Sequence, residues 1–208
     1  MSIAVRRRAN INEIRAGIMK MFGLFKKSPH HDNANRLYLE IVRQSRHPDF
    51  YEKYGVADTL EGRFDMIVIH AFLVLHRFKN DHDKTEAIAQ VMFDLMFADL
   101  DRSLRELGIG DVGISVRIKK MVEAFYGRIQ AYEEGLDKSD GTLETALSRN
   151  LYHGQTPAQQ QVGAMADYIR DHISVLAAQP IETLLEAQLN FPGPPEVSSL
   201  VGDSVHDG

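Results

Sequence analysis

The sequence contains no cysteine among its 208 residues. This absence excludes disulfide frameworks, cysteine-ligated zinc and iron–sulfur sites, and catalysis by a thiol nucleophile. It is compatible with a reducing compartment. Tryptophan is absent as well. Apolar residues make up 44% of the chain and charged residues 25%, which is typical of a folded globular domain rather than of a disordered chain.

Long hydrophobic runs are also absent. The longest apolar run covers residues 66–75 and is interrupted by His70. A membrane-spanning helix needs about 20 apolar residues, so this run is too short to cross a bilayer. The N-terminus carries no long apolar segment with a small-residue cleavage site, as a secretory signal would. We therefore expect one cytoplasmic domain with an appendage rather than an exported or membrane-spanning protein.

The charge is divided unevenly along the chain. Residues 1–27 hold seven basic side chains and one acidic side chain, a local net charge of +6. The remaining residues carry a net charge of −11, which disfavours general binding of DNA by the body of the protein. The basic N-terminal arm is compatible with contact to anionic lipid or RNA, and equally with a solvated tail.

The arm ends in a segment that mixes apolar and basic side chains. The sequence MFGLFKK over residues 21–27 suits a shallow anchor at a membrane surface. The predicted membrane-contact residues are Phe22, Leu24, Phe25, Lys26 and Lys27. Met21 is also a candidate start, in which case residues 1–20 would be an upstream extension. We assign residues 1–33 to the arm.

Apolar residues recur at helical spacing through the rest of the chain, whereas the strict alternation of a strand is hard to find. A capping box at residues 58–61 opens the most hydrophobic helix, which is apolar nearly all round and is therefore expected at the centre of a bundle. The pattern predicts an all-α, bundle-like single domain with long central helices over residues 34–189. A loose tail rich in proline and glycine is expected over residues 190–208.

Patterns that would indicate chemistry have better structural explanations. Gly108, Gly110 and Gly113 spell G-x-G-x-x-G, but a long predicted helix precedes them where a dinucleotide site needs a strand. A tight corner between two helices is the favoured interpretation. No histidine follows a glutamate by three residues, as in a di-iron bundle, and His70 is interpreted as a core histidine. We predict no catalytic residues, no metal and no cofactor.

Charged residues surround this corner. Asp99 and Asp101 are two residues apart and so lie on different faces of a helix, which argues against a paired carboxylate site. Lys120 and Arg128 are predicted on the face of the next helix that lies opposite its apolar seam. Such a basic strip can meet an acidic partner or rRNA phosphates, and it is also typical of the solvated side of an amphipathic helix.

Four sequence blocks resemble the ubiquinol–cytochrome c chaperone family of alphaproteobacteria and mitochondria. In chain order they are DTLEGRFDMIVIHAFLVLH at residues 58–76, MFADLDRSLRELGIGD at 96–111, RIKKMVEAFYGRIQAY at 117–132 and ALSRNLYHG at 146–154. The similarity covers about residues 21–155. It leaves the first 20 residues and the C-terminal tail outside.

The resemblance implies a non-enzymatic, all-helical assembly factor. Such a protein would bind newly made cytochrome b, near the ribosome and together with a small partner protein, and would promote assembly of ubiquinol–cytochrome c reductase. It would lie in the cytoplasm, in weak peripheral contact with the anionic inner membrane. Polar positions of the matching blocks are the predicted partner-binding residues: Asp99, Asp101, Arg105, Asp111, Lys119, Lys120, Tyr126 and Arg128.

Two other classes of function stay open at this point. One is a ribosome- or RNA-associated protein that uses the basic arm and strip, with an affinity that falls steeply with salt. The other is a lipid- or quinone-binding protein that uses the apolar helix predicted at residues 58–79, which would require an open pocket rather than a filled core.

Overall fold

Helices form all the regular structure in the part of the chain that the computed structural model describes, which comprises residues 30–138, 140–153, 157 and 159–195. This confirms the predicted all-α class. The helices are α1 (His31–Ser45), α2 (Pro48–Glu52), α3 (Leu60–Phe78), α4 (His82–Glu106), α5 (Asp111–Asp137), α6 (Thr142–Asn150), α7 (Gln159–Ala177) and α8 (Ile181–Leu185). A short 3-10 turn, Lys79–Asp81, joins α3 to α4.

Helix α3 lies at the centre of the bundle. It contacts α1, α4, α5 and α7, and every residue from Met66 to Val74 is buried. The helix is capped by Thr59, whose hydroxyl accepts a hydrogen bond from the Gly62 amide at 3.1 Å. Asp58, the cap expected from the sequence, instead pairs with Arg63. Because its neighbours cover α3, this helix does not supply the open pocket that a quinone-binding protein would need.

His70 is a buried member of this core. Its Nδ1–H donates to the Met66 carbonyl at 2.8 Å, so Nε2 accepts from the Tyr168 hydroxyl at 2.8 Å. Burial lowers the pKa of His70 to about 3, and the ring is therefore neutral at physiological pH. The interpretation of His70 as a core histidine is confirmed.

Residues 190–195 lie against the core. The ring of Phe191 is buried and meets His70 edge-on at 5.5 Å. The Pro192 carbonyl accepts a hydrogen bond from the Gln44 amide at 2.8 Å. The packed part of the chain therefore continues past residue 189, where the sequence analysis placed the start of a loose tail. Residues 196–208 and the arm up to residue 29 lie outside the described residues.

None of the described helices combines the length and the apolar composition that crossing a membrane requires.

Replacing Phe72 by alanine tests the central position of α3. The side chain is fully buried, so its removal should lower the free energy of unfolding by about 3–5 kcal/mol. Urea denaturation of the wild type and the variant measures this difference. A loss below about 1 kcal/mol would mean that the helix is poorly covered.

Candidate partner-binding surface

A glycine-containing corner joins the two longest helices, α4 and α5. The amides of Gly108 and Ile109 donate to the carbonyls of Arg105 at 2.9 Å and Leu104 at 3.3 Å. Gly108 has a φ of +77°, the left-handed conformation with which such helix ends close. The G-x-G-x-x-G pattern therefore forms a helix-to-helix corner, as predicted.

Arg105 connects the two sides of this corner. Its Nε lies 2.6 Å from a carboxylate oxygen of Asp101, one turn earlier on α4. Its Nη1 lies 2.5 Å from Asp111, the first residue of α5. Three of the predicted partner-binding residues are thus brought together, and all three stay accessible to solvent. One guanidinium shared between two carboxylates leaves a net charge of −1.

Asp99 has a different role from its neighbour Asp101. Its carboxylate accepts a hydrogen bond at 2.9 Å from the hydroxyl of Tyr38, which is a buried residue of α1. Burial, together with this hydrogen bond, raises the pKa of Tyr38 above its ordinary value. Asp99 therefore ties α1 to α4 through one of its two carboxylate oxygens.

The basic residues of α5 do not form the single exposed strip that the sequence predicted. Lys119 and Lys120 are exposed, but the Arg128 side chain is only 12% exposed. Arg128 points inward because it pairs with the fully buried carboxylate of Asp65. The placement of Arg128 on the solvated face was wrong. A helical wheel assigns each residue an angle but does not reveal a charge on a neighbouring helix.

Tyr126 also lies inside the helix pair. Its ring stacks on Phe93 of α4 with a centroid distance of 5.8 Å and an interplanar angle of 29°. Burial raises its pKa above the ordinary value of a tyrosine. This residue is half-buried in the α4–α5 contact rather than presented to a partner.

A buried polar cluster joins α3, α5 and the residues that follow α6. Arg128 Nε lies 2.7 Å from Asp65 Oδ1, although its N–H is not aligned for a hydrogen bond. The other oxygen of Asp65 contacts His153 Nε2. Burial raises the pKa of Asp65 to about 6, although the neighbouring Arg128 and His153 both act to lower this pKa. The Tyr132 hydroxyl is buried with no hydrogen-bond partner among the described residues.

The sequence analysis missed Asp65 and His153. A signal was present, because Asp65 interrupts the apolar face of α3 with a charge that burial would require to be paired. His153 is separated from Asp65 by 88 positions, so no local pattern connects them.

The corner exposes large apolar side chains that the sequence analysis did not select. Exposed fractions are 63% for Leu107, 83% for Val112 and 52% for Val116. Leu104 and Ile114, on the same two helices, are buried but do not belong to the main core. Exposed apolar side chains concentrated in one place are typical of an interaction site.

The predicted membrane-contact residues Phe22, Leu24, Phe25, Lys26 and Lys27 lie outside the described residues. Within the described ranges, no group of three or more histidine, aspartate or glutamate side chains is placed to hold a metal ion.

Comparison with known proteins identifies the family. The family model described as ubiquinol-cytochrome C chaperone matches residues 52–191, which include every helix from α3 to α8. The chain belongs to this family. The described cluster and the α4–α5 corner both lie within the matched region.

Individual relatives agree with this assignment. The chain is 28% identical over 152 residues to the ubiquinol-cytochrome-c reductase complex assembly factor 1 of Xenopus laevis, covering 73% of this chain and 76% of that protein. The mouse protein of the same name is 23% identical over 152 residues. There the match covers 73% of this chain but only 52% of the relative. The chain thus spans about half the length of the mouse relative.

A solved structure shares the fold. The crystal structure of the Cbp3 homolog from Brucella abortus matches with a TM-score of 0.72 and 32% sequence identity. The match covers 90% of this chain and 99% of the Brucella chain.

Substitution of Asp99 by alanine tests its structural role. Because the change leaves the buried Tyr38 hydroxyl without its acceptor, the free energy of unfolding should fall by about 1–3 kcal/mol. Asp101→Ala is the matched control and should cost less than about 1 kcal/mol, since its pair with Arg105 is exposed. Equal losses in urea denaturation would contradict the assignment.

The buried cluster predicts a pH dependence of stability. Asp65 has a raised pKa of about 6 in the folded protein, so between about pH 4 and pH 6 this carboxyl group is more protonated in the folded state than in the unfolded state. Asp65 therefore favours folding most at low pH, and this contribution falls as the pH rises through that window. As the pH rises from about 4 to about 6, the free energy of unfolding of the wild type should fall by about 1–3 kcal/mol relative to that of Asp65→Asn. If urea denaturation shows that the difference in unfolding free energy between the two proteins does not change with pH, the raised pKa of Asp65 is refuted.

Proposed function

We propose that this protein is an assembly chaperone that binds newly made cytochrome b and promotes assembly of ubiquinol–cytochrome c reductase. The observation that carries the proposal is the family match over residues 52–191. It is supported by the relatives that bear the name of assembly factors for this complex, and by the Brucella fold. The proposed role is binding rather than catalysis, in contact with a membrane protein during its maturation.

The α4–α5 corner is the proposed client surface. A polytopic membrane protein presents apolar helices whose cytoplasmic loops are rich in lysine and arginine. Asp101 and Asp111 offer two accessible carboxylates that share one guanidinium, that of Arg105. Because exposed ion pairs each contribute less than about 1 kcal/mol, a basic loop can compete with Arg105 for these oxygens at little cost. Asp99 is left out because its carboxylate serves Tyr38.

Contact with the membrane surface is part of the same proposal. Assembly of a membrane complex requires its chaperone to meet the client at the bilayer. The basic and apolar composition of residues 21–27 supports a weak peripheral contact there. Contacts with the ribosome and with a small partner protein are proposed on the resemblance alone.

Deletion of the gene tests the function. Membranes of the deleted strain should lose b-type haem absorbance and assembled ubiquinol–cytochrome c reductase, while other respiratory complexes remain. Restoring the wild-type gene should recover both signals. Normal levels of the assembled complex in the deleted strain would refute the proposal. Loss of the complex without crosslinking of the chaperone to cytochrome b would identify a different client.

Neutral substitutions at the corner test the surface. Complementation with Asp101→Asn combined with Asp111→Asn should leave the melting temperature nearly unchanged, because both carboxylates are exposed. It should reduce crosslinking to cytochrome b severalfold. The control is Asp167→Asn combined with Glu182→Gln, which removes two exposed, ion-paired carboxylates elsewhere. Wild-type crosslinking by the corner variant would place the client surface elsewhere without affecting the result of the deletion.

A further inference from the structure

The apolar side chains of the α4–α5 corner form a convex tip. Val112 exposes 83% of its surface, a value that a residue lining a groove does not reach because groove walls cover it. Leu107 stands at the end of α4, and Val116 lies one turn beyond Val112 on α5. We call these three residues, Leu107, Val112 and Val116, the apolar tip.

The apolar tip has its own support. Leu104 of α4 and Ile114 of α5 flank the corner in the sequence and are buried, and neither belongs to the main core. The hydrogen bonds of the Gly108 turn and the bridge from Arg105 to Asp111 close the corner. The exposed side chains are therefore held outward by a defined local structure.

Two lysines continue the same face of α5. Counting 100° per residue, Lys119 and Lys120 lie within about 80° of Val112, while the buried Ile114 and Phe125 lie on the opposite side. Both lysines are exposed and form no ion pair with a described residue. Lys120 is about 12 Å from Val112 along the helix axis.

This arrangement matches the chemistry of a bilayer surface. Apolar side chains of peripheral proteins insert by about 5–10 Å, and lysines placed just behind them reach the lipid phosphates. The nearby carboxylates Asp101 and Asp111 share Arg105, so their repulsion from anionic lipid is reduced. Glu106 at the corner and Glu123, which is exposed on the same face of α5 as the two lysines, are unfavourable charges that weaken the attraction.

We propose that the apolar tip and Lys119 and Lys120 form a second membrane-docking element, which inserts shallowly into an anionic lipid surface. A lipid surface is favoured over an apolar client helix because the tip is convex, and a helix binds in a groove. A bilayer deforms around a protruding side chain. The element is separate from residues 21–27, and its lipid binding does not depend on the identity of the client.

The absence of tryptophan allows a direct test. Val112→Trp introduces a single tryptophan at the tip of the full-length chain, whose emission is separated from that of the tyrosines by selective excitation. Its emission should shift to shorter wavelength on addition of vesicles of phosphatidylglycerol and phosphatidylcholine. Leu39→Trp is the matched control, because Leu39 is 54% exposed on α1 rather than on the two helices of the corner, and its emission should not shift.

The charge of the lipid is varied in the same assay. Vesicles of phosphatidylcholine alone should give a smaller shift, and added salt should reverse the shift with anionic vesicles. Lys119→Gln with Lys120→Gln should weaken vesicle partitioning, by about fivefold per lysine. Lys53→Gln with Lys84→Gln, which neutralises two exposed lysines elsewhere, should have little effect.

The contribution of the apolar side chains is measured by cosedimentation. Val112→Ser with Val116→Ser should lower partitioning by about tenfold, because both methyl-bearing side chains leave the lipid. Circular dichroism should show unchanged helicity, since both residues are exposed. Phe22→Ser with Phe25→Ser separates the two elements and should leave the Val112→Trp shift detectable at high lipid concentration.

Two outcomes would overturn the proposal. One is unshifted Val112→Trp emission while the same protein cosediments with the anionic vesicles, which would assign all lipid contact to another segment. The other is a shift without vesicles that grows with protein concentration, which would mean that the tip binds a second copy of the chain.

Discussion

Burial of α3 is the constraint on which the rest of the structure depends. A helix that is apolar nearly all round has no face that tolerates water, so other helices must cover it on every side. Helices α1, α4, α5 and α7 do so. The two polar side chains that this burial traps, His70 and Asp65, then require partners from distant parts of the chain. Tyr168 of α7 meets His70, and Arg128 of α5 and His153 meet Asp65. These polar contacts thereby link α3 to the helices that the hydrophobic effect packs around it.

The helical class, the central position of α3 and the glycine corner follow from local patterns, because spacing, caps and turn residues act over a few positions. The partners of charged residues do not follow in the same way. Asp99 and Asp101 are the same residue type two positions apart, yet Tyr38 of α1 engages only Asp99. Arg128 has the composition of a surface residue and becomes a core residue because Asp65 lies across from it. Such outcomes depend on helix–helix contacts that a single sequence does not display.

At the α4–α5 corner, most of the charged residues selected from the sequence are engaged within the fold, whereas apolar side chains are exposed. The sequence analysis selected its charged residues, but most of them satisfy one another or the fold. Arg105 holds Asp101 and Asp111, Asp99 holds Tyr38, and Tyr126 stacks on Phe93. Among the described residues, the apolar side chains at the tip stay exposed and the two lysines behind it form no ion pair. Exposed apolar side chains are unfavourable in water. Their concentration at one defined corner is therefore better explained by binding to a partner than by chance.

The two chemistries of this corner are adjacent for a physical reason. Asp111, which belongs to the carboxylate pair, directly precedes Val112, the most exposed residue of the apolar tip. If the tip reaches the bilayer, the carboxylates of Asp101 and Asp111 lie at the level of the lipid headgroups. That is also the level at which a membrane protein displays the basic residues flanking its helices. Docking at the surface would therefore hold the carboxylates where a client's loops emerge. A docked chaperone would search for its client along the membrane surface rather than through the whole solution. The effective concentration of the two proteins would rise without any additional contact between them.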